Sequence, residues 1–283
     1  MLFRSRPNAS LDGKVAFVTG AARGQGRSHA VQLASLGADV AVIDICREVD
    51  AVPYSQGTET QLDETVALVE ATGRRALRIV ADVRDATAMA DAMTLTLTTF
   101  DHVDIVVANA GVIQLKAAVD ITPADWSELI AINLTGVWNT ISPALSPMIS
   151  RGAGGSIIIT SSAAGVKGPP NMAHYAASKS GLVGLTRSLA TEMGPHNIRV
   201  NCIAPTTVDT DMVHWPQAYQ MFRPDIDKPC RADVVDVFTS LNVLPVPWIL
   251  PSDVSNAVTW LACVESRYVT GIVLPVDAGT LLK

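Results

Sequence analysis

Charge is scarce in this sequence: Asp, Glu, Lys and Arg make up 17% of it, and the formal net charge is -6. With no basic excess to displace counterions from phosphates, a nucleic-acid surface is excluded. Cysteine is sparse too. Cys46, Cys202, Cys230 and Cys263 show neither a C-x-x-C pair nor metal-ligand spacing, so they read as reduced structural thiols. His102, His174, His196 and His214 do not cluster, and no metal is expected. No apolar run approaches the ~20 residues that span a bilayer, and the opening MLFRSRPNASLDGK lacks the apolar core of a signal peptide. A soluble, cytoplasmic protein without membrane contact is the expectation. Repeats, low-complexity tracts and linker compositions are missing as well, so residues 1–283 are expected to form a single domain.

Apolar residues are abundant, at 48%. With so little charge, that composition suits a parallel sheet buried on both faces. The first apolar run, KVAFVTG, ends in glycine and is followed by ARGQG and then SHAVQLASLG, whose periodicity is helical up to Gly37. Strand, turn and helix in that order, with Gly20, Gly24 and Gly26 in the turn, allow backbone N–H groups and a helix N-terminus to approach a pyrophosphate. The spacing is G-x-x-x-G-x-G, not G-x-G-x-x-G. A second run, ADVAVIDI, puts Asp44 at a strand end, where a carboxylate can accept both hydroxyls of an adenosine ribose and repel a 2'-phosphate. That favours NAD over NADP. Arg23 and Arg47 pull the other way, since a guanidinium binds phosphate well. The alternative for Asp44 is an ordinary carboxylate at a strand-end turn.

REVDAVPYSQGT, an irregular stretch after Cys46, is longer than most connections in α/β units. Two further strands are expected, ALRIVADV ending at Asp82 and Val83, and VDIVVANAG ending at Asn109, Ala110 and Gly111. Small residues at that second end leave room for a cofactor ribose. Strand and helix patterns alternate throughout, which predicts an α/β fold: a doubly wound, Rossmann-type parallel sheet with helices on both faces and the ligand at the carboxyl ends of the strands.

Thr122 and Pro123 begin a helix that carries Asn133, a poor helix former whose position invites a functional reading, and Pro143 and Pro147 are expected to end or kink it. SIIITSS reads as a buried strand closing at Ser162. Tyr175 and Lys179 follow at i,i+4 on a helical run, so they share one face. An ammonium beside a phenol favours the phenolate, making Tyr175 a proton donor and acceptor, and a hydroxyl at Ser162 can orient a substrate oxygen toward it. Without other context the Tyr–Lys spacing is an ordinary surface pair. The strand IRVNCIAP leads into Pro205, Thr206, Thr207, Val208 and Thr210, placed to cover a nicotinamide. The span of about 206–250, rich in Pro, Met, Trp and Phe, reads as a substrate lid, with subunit contacts as the alternative.

TGAARGQG, Asp44, Asp82, ANAG at 108–111, Asn133, Ser162, Tyr175 with Lys179, and the Pro205 turn together resemble the short-chain dehydrogenase/reductases, in order and over almost the whole chain. The resemblance implies a catalytic tetrad. Ser162 would hold the substrate oxygen, Tyr175 would exchange the proton, Lys179 would bind the nicotinamide ribose and lower the tyrosine pKa, and Asn133 would support a water. It also implies NAD held by Gly20, Arg23, Gly24, Gln25, Gly26, Asp44, Ile45, Cys46, Asp82, Val83, Asn109, Ala110, Gly111, Thr160, Tyr175, Lys179, Pro205, Thr206, Val208 and Thr210. A homotetramer using the helices that carry Asn133 and Tyr175 belongs to the same picture.

AARGQGRSHA, VIDIC, VPY, LVEATGRR, ADVRD, PTTVDT and LPVPW narrow the likeness to the carveol dehydrogenase-like subgroup, described as mycofactocin-dependent. That likeness implies tightly held NAD, reoxidised in place by a separate carrier such as mycofactocin. Two departures are ANAG where NNAG is commoner and a threonine pair after Pro205. The expected activity is interconversion of a small, largely apolar secondary alcohol and its ketone. A catalytically silent NAD-binding redox sensor and a sugar-nucleotide epimerase are the alternatives.

Overall fold

The structure is a computed structural model and describes residues 10–50 and 52–283. The opening stretch read above for a signal peptide falls mostly outside those residues, as does Ala51 in the connection after Cys46. In chain order the elements are β1 (Val15–Thr19), α1 (Gly24–Ser35), β2 (Asp39–Asp44), α2 (Glu59–Glu70), β3 (Ala76–Val80), α3 (Ala86–Phe100), β4 (Ile105–Ala108), α4 (Pro123–Ile130), α5 (Gly136–Arg151), β5 (Gly155–Thr160), α6 (Ala164–Lys167), α7 (Ala173–Met193), β6 (Ile198–Pro205), α8 (Pro216–Phe222), α9 (Val235–Ser240), α10 (Pro251–Ala262) and β7 (Val273–Val276).

All seven strands are parallel, in the order β3-β2-β1-β4-β5-β6-β7. The order reverses between β1 and β4, which opens a crevice at the carboxyl ends of those two strands. Alternate side chains of each strand enter opposite cores. Phe17, Ile43, Ile157 and Ile159 meet Met89 and Met93 of α3, Ile141 and Met148 of α5 and Leu182 of α7. Val18, Val42 and Ile158 meet Leu33 of α1, Leu62 of α2 and Val258 and Leu261 of α10 on the other face. This is the three-layer arrangement that near-continuous apolar strands require.

Local chemistry sets the ends of the elements. Thr58 caps α2 by accepting from Gln61 N, and Thr122 caps α4 with Asp125 reaching back; each such cap is worth about 1 kcal/mol. Buried Asp104 accepts Val15 N at 3.0 Å and meets Arg151 and Lys14, clamping β4 beside β1.

The sequence expectations need revision at two places. Pro143 and Pro147 lie inside α5, which runs on to Arg151. Burial of Ile141, Ala144 and Met148 holds the helix on the sheet despite the lost backbone donors. Asn133 sits in a turn of π-helix, Ala131–Thr135, between α4 and α5, not in a regular helix. The segment 206–250 is more ordered than its weak periodicity suggests: α8 and α9 enclose a small core of Tyr219, Val234 and Phe238 with Phe222 and Trp248 packed against it.

Candidate active site

The turn after β1 is shaped by its glycines. Gly20 and Gly24 have φ of +67° and +55°, which a side chain rarely adopts, and a Cβ on Gly26 would collide with the Gly20 carbonyl oxygen. Arg27 secures the turn from beneath, donating to Ala22 O, Gln61 O and Thr65 Oγ1. At the end of β2, Asp44 accepts Ala22 N at 2.9 Å and Cys46 N at 3.1 Å. Gly57 passes so close that a Cβ there would sit 3.0 Å from Asp44 Oδ1.

These groups wall a cleft of about 350 Å³ with Ile45, Asp82, Val83, Asn109, Ala110 and Gly111. Its shape and donors fit a dinucleotide: a glycine cradle that any Cβ would fill, a helix N-terminus above it, and a carboxylate at one end. The buried Oε1 of Gln25 in this wall has no hydrogen-bond partner among the described residues. Burial alone would raise the Asp82 pKa, but hydrogen bonds from Arg84 and then Arg47 hold it at about 2. Arg47 is thereby paired at 2.8 Å. Arg23 is paired as well, with Asp211 at 2.7 Å and with the Ser55 carbonyl. The two guanidiniums set against Asp44 in the sequence reading are therefore already committed to protein partners.

A second cavity of about 550 Å³ adjoins the first, and Gln25, Asn109, Gly111, Val112, Thr210 and Met212 line both. At its inner end lie Thr160, Ser162, Tyr175 and Lys179, and beyond them Pro205, Thr206 and Val208. The inner wall is a chain of hydrogen bonds. Lys179 Nζ donates to Thr160 O at 2.9 Å, Thr160 Oγ1 donates to Asn109 Oδ1 at 3.3 Å, and Asn109 Nδ2 donates to Thr19 O at 3.1 Å. Asn133 is fully buried and grips Val112 from both sides, its Oδ1 accepting Val112 N and its Nδ2 donating to Val112 O, each at 2.8 Å. Its π-turn thus braces the loop after β4, a use for which π-bulges recur at functional sites. A Cβ on Gly111 would come within 3.2 Å of both Asn133 Oδ1 and Lys179 Nζ.

Burial dominates the titration of this end. It raises the Tyr175 pKa, against a lowering influence from the neighbouring Ser162 hydroxyl. It lowers that of Lys179 to about 8. Lys179 Nζ lies 5.8 Å from the Tyr175 ring centroid and is bonded to Thr160 O. Desolvation, not the lysine charge, sets the direction of the Tyr175 shift in this structure. Ser162 stands two residues past the end of β5, where its Oγ accepts Ala164 N at 3.1 Å.

Of the expected site residues, only Cys46 and Asn133 line neither cavity. Cys46 has a φ of 51°, and burial followed by the Asp44 charge pushes its thiol up to about 12, which disfavours the reactive thiolate. Tyr54 was not among the expected residues. From the connection after β2 it enters the first cavity, its phenol oxygen accepts Ile113 N at 3.0 Å, and its ring lies 5.8 Å from that of Trp215 in the segment 206–250. The aromatic within VPY was the available signal, but its partners are too distant in sequence to be read there.

The pattern of the short chain dehydrogenase family matches residues 14–218. A (-)-trans-carveol dehydrogenase of Rhodococcus erythropolis is 46% identical over 97% of this chain and 100% of its own length. The crystal structure of a carveol dehydrogenase from Mycobacterium avium in complex with NAD superposes with a TM-score of 0.96 at 48% identity, covering 98% of this chain and 100% of that one. A short chain dehydrogenase from Mycobacterium paratuberculosis bound to NAD gives 0.89 at 42%, covering 97% and 100%.

Proposed function

This chain belongs to the short-chain dehydrogenase/reductase family, and from that membership we propose that its site interconverts a secondary alcohol and its ketone as an NAD-dependent oxidoreductase. The carrying observation is the junction of the two cavities: a glycine-walled cleft shaped for a dinucleotide opens directly onto a largely apolar chamber with Tyr175, Ser162 and Lys179 at its inner end. NAD, when bound, supplies the hydride acceptor for alcohol oxidation. Gly20, Gln25 and Gly26 would hold its diphosphate and Asp44 its adenosine ribose, with Lys179 on the nicotinamide ribose.

In this reading Ser162 Oγ orients the substrate oxygen, and the Tyr175 hydroxyl takes the proton during oxidation and returns it during reduction. Lys179 fixes the inner wall through Thr160. Asn133 is a positioning residue that acts through Val112. The apolar walls, among them Val112, Ile113, Met172, Met212 and Phe222, suit the apolar body of an alcohol, as the carveol relatives suggest, and keep water from the reacting oxygen.

Tight retention of NAD is supported by the cover over the first cavity. Tyr54 and Ser55 in the connection after β2 are tied to Ile113, Trp215 and Arg23, so cofactor release requires several contacts to part. A cofactor so held calls for a carrier such as mycofactocin to reoxidise it in place. No helix among the described residues is long and apolar enough to cross a membrane, and a cytoplasmic location remains part of this proposal. Exposed Trp126 of α4 and Trp138 of α5 support subunit contacts in a homotetramer.

The decisive experiment is a panel of alcohols assayed with an artificial electron acceptor, alongside mass analysis of the purified protein for bound nucleotide. Turnover that vanishes in Tyr175→Phe while NAD stays bound supports the reading. Bound NAD without turnover of any alcohol favours a redox sensor instead.

A further inference from the structure

Among the described residues, the chamber that holds Ser162 and Tyr175 carries no aspartate or glutamate in its wall, and its only charged side chains are Lys179 and Lys167. Lys179 is committed to the inner end. Lys167, the last residue of α6, lines the same chamber and is exposed. Its Nζ makes one long bond, 3.4 Å to Thr280 O in the segment after β7, and no carboxylate of the described residues pairs with it.

An ammonium without an anion at the edge of an apolar enclosure has hydration to exchange for a ligand anion, and the low-dielectric walls concentrate its field. That the pocket carries two cations in a chain of net charge -6 is a local reversal of sign. The enclosed volume of about 550 Å³ is also ample for a ligand of drug size, so a substrate oxygen at Tyr175 leaves room for more of the same molecule along the walls.

Resting on the dehydrogenase reading above, we propose that the preferred substrate is an amphipathic hydroxy acid, with a secondary alcohol at Tyr175, an apolar body along Ile113, Met172 and Phe222, and a carboxylate at Lys167. Lys167 is then a specificity-determining residue. It is separate from the proton chemistry and selects among alcohols that the inner end accepts equally.

The test compares one hydroxycycloalkyl carboxylate with its methyl ester, in wild type, Lys167→Met and Lys167→Glu, using the holoenzyme and an artificial electron acceptor. The wild type is expected to favour the acid over the ester by about ten-fold in kcat/KM, the scale of one charge-assisted hydrogen bond. In Lys167→Met that ratio should fall toward one through a rise in the KM of the acid, and in Lys167→Glu it should invert. A wild-type ratio of one or below, or a ratio that Lys167→Met leaves within two-fold of wild type, overturns the proposal. Carveol, assayed in parallel with wild type, separates the two questions: its oxidation supports the dehydrogenase reading whatever the acid-to-ester ratio, and failure to oxidise any alcohol sinks both.

Discussion

Arg23 Nη1 lies 2.7 Å from Asp211 Oδ2, so one ion pair ties the glycine turn after β1 to the segment that follows β6. The same guanidinium takes the Ser55 carbonyl, drawing in the connection after β2. Three segments far apart in sequence therefore meet at one side chain in the wall of the dinucleotide cleft. The pair is partly exposed, with Asp211 at 64%, so its worth is about 0.2–1 kcal/mol. Arg23→Ala is expected to speed NAD release by a few-fold without loss of fold. Dilution of the purified holoenzyme followed by fluorescence of the released nucleotide measures this, and an unchanged release rate would remove Arg23 from the account of retention.

Asp44 is held by two backbone N–H groups, so its carboxylate cannot swing away from the mouth of the cleft. Arg23 and Arg47 are engaged by Asp211 and Asp82. A 2'-phosphate would therefore face a fixed anion with neither of these two guanidiniums free to offset it, a juxtaposition that costs several kcal/mol. NADP is expected to be at least about a hundred-fold poorer than NAD in kcat/KM. Steady-state assays of apoenzyme reconstituted with each cofactor decide it, and parity would show that the carboxylate does not read the ribose.

Much of this was legible because it is local. Apolar runs such as VAFVT and GSIIIT are buried strands for the same reason that they look like strands, and the glycines of the first turn announce a backbone that no side chain tolerates. The i,i+4 spacing of Tyr175 and Lys179 likewise survives directly as a shared helix face on α7. What escaped is non-local. Pro143 and Pro147 obey tertiary burial over backbone propensity, and the π-turn at Asn133 depends on its grip on Val112, a partner outside the helix. The Arg23–Asp211 and Tyr54–Trp215 contacts exist only once the sheet is assembled, and no window along the chain contains both members.

Tyr175 is 7% exposed, and burial raises its pKa above the ordinary 10. Alcohol oxidation needs a proton acceptor, and the deprotonated fraction of such a phenol grows about ten-fold per pH unit below its pKa. Oxidation should thus climb between pH 7 and 10, while ketone reduction, which needs the protonated form, should not. Tyr175→Phe is expected to lower kcat by about 100- to 10,000-fold, with NAD still bound. Rates measured in both directions across that range test the assignment; an oxidation profile flat from pH 7 to 10 would place the proton acceptor elsewhere.

His29 is 0% exposed in α1, its Nδ1 lies 2.7 Å from Ser255 Oγ of α10, and its Nε2 has no hydrogen-bond partner among the described residues. Burial holds its pKa at about 3, down from 6.5, despite a small opposing influence from Asn109. Between those values the unfolded chain binds a proton that the folded chain refuses, so stability falls as pH drops below 6.5 and is unaffected above about 7. Each such proton contributes about 1.4 kcal/mol per pH unit. His174, also lowered by burial, adds in the same direction. The carboxylates of buried Asp39 and Asp104 and of half-buried Asp82 have lowered pKa values, so their contribution is lost only as pH falls below the ordinary 3.8. The window from pH 6.5 to 4.5 is therefore the histidines' own. Thermal unfolding followed by circular dichroism across that window should show the midpoint falling with pH in the wild type. In His29→Gln, whose amide takes no proton there, the slope should shrink, even though lost packing lowers the midpoint at pH 7.5. Equal slopes would mean that His29 is protonated, or hydrated, in the folded protein.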